Sequence, residues 1–99
     1  MTPAVELLTA AEEDMAVAKE WYRQCHLQLE ADFVASVEEA LERIGCHPFA
    51  FARIKHEYRQ ALLHRFPYRI VFRLLDDLIV VVAVLHTSRD PRVWESRNH

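Results

Sequence analysis

His86, Arg89 and Arg92 lie within the seven-residue stretch HTSRDPR that ends a very apolar run. Upstream, Arg59, Arg65, Arg69 and Arg73 stand among the strand-like residues 58 to 74, with His56 and His64 close by. Guanidinium groups form bidentate pairs with phosphates and carboxylates, so such a row can grip either. In RNA cleavage, arginines would stabilise the developing phosphorane charge, and a group titrating near neutrality would move the proton. His86 is the member of the cluster at the strand's end with an ordinary pKa in that range. Two blander chemistries fit the same residues. One is a basic surface for an acidic partner protein. The other is the solvated outer face of a sheet, where arginine guards against edge-to-edge pairing. Asp90 followed by Pro91 also has the form of a helix N-cap and first turn.

Other chemistries find no support. There is no glycine-rich phosphate loop, no Gly-x-Ser-x-Gly and no His-Glu-x-x-His. His56, His64 and His86 have no metal-ligand spacing with Cys25 or Cys46, so neither a metal nor a cofactor is expected. The two cysteines read as buried free thiols of a cytoplasmic protein. No basic segment followed by an apolar run opens the chain, and the run Leu78 to Leu85 is too short to cross a bilayer. A soluble, cytoplasmic, single domain over residues 1–99 is the expectation. The net charge of −3 is unevenly spread. Residues 1–50 carry three basic and ten acidic side chains, a net of −7; residues 51–99 carry nine and five, a net of +4. Either the helices are simply acidic and solvated, or the C-terminal half faces an anionic partner.

The elements that must position the cluster follow from periodicity. Residues 4–8 can form a short strand. Thr9 and Glu12 have capping-box spacing, and Ala11, Met15, Ala18, Tyr22 and Cys25 mark one face of a helix over about 10–25. A second helix reads from about 28 to 44, with Leu29, Phe33, Val37, Leu41 and Ile44 inward. Gly45 is placed to take a left-handed C-terminal position, with Pro48 beyond. Residues 49–57 read as loop, and strands follow at 58–63, 68–74 and 78–86. In the second of these, Tyr68, Ile70, Phe72 and Leu74 alternate with Arg69, Val71 and Arg73, and Arg59 could project near Arg69 from the neighbouring strand. Asp76-Asp77 marks a tight hairpin. Residues 78–86 are apolar on both faces, so both must be covered. The helices supply one cover, and a short helix near 90–97 or another molecule supplies the other. Trp21 and Tyr22 are expected in or beside the core. Trp94 is expected to dock the last helix, or, if exposed, to anchor an interface. The fold class is α+β: an N-terminal strand, an antiparallel helical hairpin packed on a mainly antiparallel sheet, and a short C-terminal helix.

The segments LTAAEEDM with WY, LEADFVASVEEALERIGCHP, RQALLHRFPYRIVFR, LIVVVAVLH and SRDPRVWESR together resemble the RelE/ParE superfamily of bacterial toxins, across nearly the whole chain. The resemblance implies a type II toxin with a cognate antitoxin whose flexible segment wraps it in a hetero-oligomer. RelE-like members cut messenger RNA on the ribosome, whereas ParE-like members poison DNA gyrase. Arg69 matches the arginine of the family's YR strand motif, and Arg89 lies where a second arginine is common. Trp94 takes the place of a terminal tyrosine, and only two lysines are present. With a net charge of −3, the chain is poorly suited to an RNA partner. The ParE-like branch is therefore the reading adopted, with gyrase as target and no enzymatic activity. On it, Arg59, Arg65, Arg69, Arg73, His86, Arg89, Arg92 and Trp94 form the target- or antitoxin-binding surface. The alternatives are a ribosome-dependent endonuclease using Arg69, Arg89 and His86, and an inactive toxin retained as an antitoxin-binding module.

Overall fold

A computed structural model describes residues 4–97. The chain runs β1 (Ala4–Leu7), α1 (Thr9–Cys25), α2 (Leu27–Cys46), a 3-10 turn (Pro48–Ala50), β2 (Arg53–Lys55), β3 (Tyr58–Leu62), β4 (Tyr68–Leu75), β5 (Leu78–His86) and α3 (Arg92–Glu95). The five strands form one sheet in the order β1-β5-β4-β3-β2. Among the described residues only the β1–β5 pairing is parallel. The α+β expectation holds. The segment read as loop over 49–57 instead contributes the 3-10 turn and the edge strand β2.

Local chemistry explains how the hairpin of helices begins and ends. Leu8 donates its N–H to the Val81 carbonyl at 3.0 Å, and its own carbonyl accepts the Glu12 N–H at 3.0 Å. Strand pairing thus runs directly into the helix, and Thr9 is already its first residue, so the expected capping box does not form. One residue joins the helices: His26 is extended, and its Nδ1 accepts the Gln28 N–H at 3.0 Å, which caps α2. Gly45 is not the stop. It is helical and buried, no described glycine has a positive φ, and α2 runs on to Cys46 with His47 as its C-cap. Cys25 and Cys46 are exposed, against expectation, because each falls at a helix end beyond the last inward-facing position.

Two apolar layers sandwich the sheet. On the helical side, Phe33, Val37, Ala40 and Ile44 of α2 and Ala11 and Ala18 of α1 pack on Ile70, Phe72, Ile79, Val81 and Val84. On the other side, Val71, Val80, Val82, Ala83 and Leu85 surround Trp94, which is 2% exposed. Trp94 therefore docks α3 as the second cover that β5 requires. Trp21, by contrast, is 62% exposed, while Tyr22 packs against the core. Tyr22 continues the inward stripe of α1 and Trp21 falls outside it.

A bulge decides which layer the end of β5 serves. Phe72 pairs with Val81 and Val71 with Ala83, so Val82 is an extra residue. Up to the bulge, Ile79 and Val81 face the helices; beyond it Val84 does, while Val82 and Ala83 both face Trp94. At the tip of this hairpin Asp76 takes φ 54°, a left-handed value that Asp tolerates in a tight turn. Among the described residues, no helix is long and apolar enough to cross a membrane.

Candidate functional site

The bulge carries His86 to the helical side of the sheet. It lies opposite Tyr68, the ring centroids 5.4 Å apart and the planes tilted 74°. Its Nδ1 accepts the Ser88 N–H at 3.1 Å and lies 2.8 Å from Ser88 Oγ. A neutral ring in that arrangement carries its proton on Nε2. His86 lines an open groove of about 280 Å³ with Glu13, Asp14, Val17, Tyr68 and Arg89, among others. Within the groove Arg89 is the exposed cation, and its guanidinium has no hydrogen-bond partner among the described residues.

Arg69 and Arg73 face the other way, as the alternation of β4 demands. Arg69 donates to Gln60 Oε1 at 3.3 Å and to the Arg89 carbonyl at 3.2 Å. Arg73 pairs with Glu57 at 3.1 Å and lies over the Tyr58 ring at 5.6 Å. The Nε atoms of Arg69 and Arg73 and the Trp94 indole nitrogen are buried without a hydrogen-bond partner among the described residues. The sheet thus separates the Arg69 guanidinium from the His86 imidazole, although the strand ends that carry them are adjacent.

The remaining basic residues do not converge either. Arg59, expected beside Arg69, is on the opposite face: it pairs across from Phe72, donates to the Phe51 carbonyl at 2.6 Å and lies 5.3 Å from the Phe49 ring. Arg65 sits at the helical side, 3.4 Å from Asp32 of α2. Arg92 folds back on Asp90, whose Oδ2 accepts from its Nη2 at 2.6 Å and whose Oδ1 accepts its backbone N–H at 2.9 Å. Asp90 thus caps one residue ahead of the helix, since Pro91 occupies the N-cap position of α3. This neighbour holds the Asp90 carboxyl below its ordinary value. Trp94 is an internal anchor of α3, not a contact surface.

One constellation was missed by sequence reasoning. Arg97 Nη1 and Nη2 donate to the two carboxylate oxygens of Asp14 at 2.8 and 3.0 Å. Nη1 also donates to the Val82 carbonyl at 2.7 Å, and Asp14 Oδ2 accepts the Val84 N–H at 3.0 Å. A signal existed: Asp14 lies three residues after Ala11 and four before Ala18, an acid on the inward stripe of α1.

Burial raises the Tyr68 phenol above its ordinary value, partly offset by the Arg89 cation. Burial, then Tyr68 and Cys25, raise that of Tyr22. Raised phenols favour the folded state while protonated. Their contribution is complete below the unfolded value of about 10 and is lost as pH rises through the folded values. Urea midpoints should therefore hold up to about pH 10 and fall above it, and by less when both residues are phenylalanine. An unchanged drop in that double variant would assign the alkaline loss to other groups.

The family described as "ParE toxin of type II toxin-antitoxin system, parDE" matches residues 5–91. Toxin ParE2 of Mycobacterium tuberculosis is 28% identical over 97 residues, spanning 97% of this chain and 92% of that protein. Among solved structures, the chromosomal ParDE system of P. aeruginosa superposes with a TM-score of 0.76 at 15% identity, covering 86% of this chain and 96% of the other. The M. tuberculosis toxin–antitoxin complex RelBE2 superposes at 0.58 with 20% identity, covering 87% and 99%. The fold is thus that of both branches, while the family match spans α1, α2 and the strands that build the groove. The chain belongs to the ParE toxin family of type II toxin–antitoxin systems within the RelE/ParE superfamily.

Proposed function

We propose that this chain is a ParE-like toxin that arrests growth by binding DNA gyrase and is neutralised by a cognate antitoxin in a toxin–antitoxin hetero-oligomer. One observation carries the choice of target. A ribonuclease built on this strand pair needs a phosphate grip and a proton carrier on one surface, yet Arg69 and His86 lie on opposite faces of the sheet. Separated groups suit an extended docking surface. The antitoxin is proposed because both structural relatives named above are toxin–antitoxin systems. The cytoplasm is its proposed place of action.

The ribosome-dependent mRNA endonuclease is retained as a second reading because His86, Tyr68 and Arg89 do share one groove. Labelled thymidine and methionine, followed over the first minutes after induction without antitoxin, separate the two. An early fall in thymidine incorporation is the expected result. An earlier fall in methionine incorporation would move the target to translation, and His86→Ala and Arg89→Ala should then abolish toxicity. If neither changes while soluble protein accumulates, the chain is an inactive toxin.

A further inference from the structure

We propose that the corner formed by Phe49, Arg53 and Arg59 docks an acidic, apolar-tipped segment of the toxin's target protein. The inference rests on the gyrase reading above and adds the surface through which that target is held.

Phe49 sits in the 3-10 turn after α2 and is 75% exposed, the most of any large apolar side chain described. Arg59 of β3 lies beside its ring, the guanidinium carbon 5.3 Å from the centroid. Arg53 stands directly opposite Arg59 across the β2–β3 ladder. Arg59 is on the helical face, since it pairs with Phe72, so Arg53 projects to that side as well. Two cations facing each other across a ladder repel and cost stability. Nothing among the described residues offsets that cost. Arg59 donates to the Phe51 carbonyl, which leaves its charge unbalanced, and Arg53 is exposed with no ion pair. The carboxylates of the adjoining turn and helix are committed elsewhere, Glu57 to Arg73 and Glu39 to Arg43.

Arginine on an edge strand can guard against unwanted pairing, but that role accounts for little here. β2 is three residues long and its register breaks at Ile54, so this edge is already a poor template. A guard also has no need of an exposed phenylalanine beside it. A ring flanked by guanidiniums is instead the composition of an interface anchor. On contact the ring loses its water to an apolar side chain, and the two guanidiniums take carboxylates. A nucleic acid fits less well. Its phosphate backbone rewards a run of cations, whereas Glu57 and Glu39 border this corner and the chain's net charge is −3.

The test measures affinity for purified gyrase, free of DNA, for the full chain, Phe49→Ala and Arg53→Glu, with melting temperatures alongside. We expect at least about tenfold weaker binding for each variant, the scale of one interface anchor. Arg53→Glu should meanwhile raise the melting temperature by about 1–5 °C, because a carboxylate then faces Arg59. A residue kept only for the fold would not gain stability while losing the partner. Variants that bind gyrase as tightly as the unaltered chain overturn the docking surface and leave the gyrase reading standing. Variants that keep gyrase but lose self-association, duplex DNA or the antitoxin encoded by the adjacent gene give the corner to another occupant and overturn the proposal. An unaltered chain that binds no gyrase overturns the gyrase reading, and the docking surface with it.

Discussion

Replacing Phe33 by alanine is expected to lower stability by about 3–5 kcal/mol, the usual cost of deleting a fully buried aromatic ring. Phe33 is 0% exposed and touches three rings: Tyr22 at 5.2 Å, Phe66 at 5.4 Å and Tyr68 at 5.0 Å. Tyr22 also meets Phe66 edge-on at 5.0 Å. This four-ring group joins α1, α2, the turn before β4 and β4 itself. Edge-to-face and offset pairs add roughly 0.5–1.5 kcal/mol each beyond their area, so the cavity would loosen several neighbours together. A domain of this size has only about 5–15 kcal/mol in hand, so the variant should be close to unfolding at body temperature. Phe33→Leu, which keeps much of the volume, should cost less. Urea denaturation of both variants is the check. A loss below about 1 kcal/mol for Phe33→Ala would show that the rings are not the keystone of this core.

Arg97→Ala is expected to cost about 3 kcal/mol, at the lower end of the range for breaking a buried ion pair from one side. The Arg97 and Asp14 side chains are 18% and 12% exposed, so the orphaned Asp14 carboxylate would keep little water. The cost has a second source, because the Val82 carbonyl loses its donor. Asp14→Ala should cost a similar amount, leaving the Val84 N–H without its acceptor. The double variant should be less destabilised than the sum of the two, since neither charge is then stranded. Thermal melts of the four proteins provide the cycle. Strict additivity would mean that the two side chains act separately on the sheet edge.

Periodicity made the architecture legible because it reports burial, and burial decided most elements. The steps of three and four along α1 and α2, and the alternation of β4, correspond to the observed apolar layers. Misreadings clustered where a local signal met a tertiary demand. Thr9 and Glu12 have the spacing of a cap, but β1 pairing continues through Leu8 and starts the helix early. Gly45 looks like a stop, yet it is buried within the last turn of α2. The arginine row failed for a plainer reason. Its members were placed by strand alternation alone, and Arg59 pairs opposite Phe72 on the helical face instead of alongside Arg69. The Asp14–Arg97 pair spans 83 positions, so periodicity could flag the acid but not its partner.

The extra residue at Val82 makes β5 a strand of two halves with opposite parity. The first half keeps odd-numbered side chains toward the helices, and the second keeps even-numbered ones there. Length, then, is information in this strand. Removing one residue at the bulge would leave composition and hydrophobicity almost unchanged. It would nevertheless exchange the addresses of Leu85 and His86, pressing an imidazole into the layer around Trp94 and turning a leucine out into the groove. A substitution tunes a surface here, but a single-residue deletion reassigns which surface exists. Among related chains, a one-residue gap at this point should therefore accompany a swap of polar and apolar identities downstream of it.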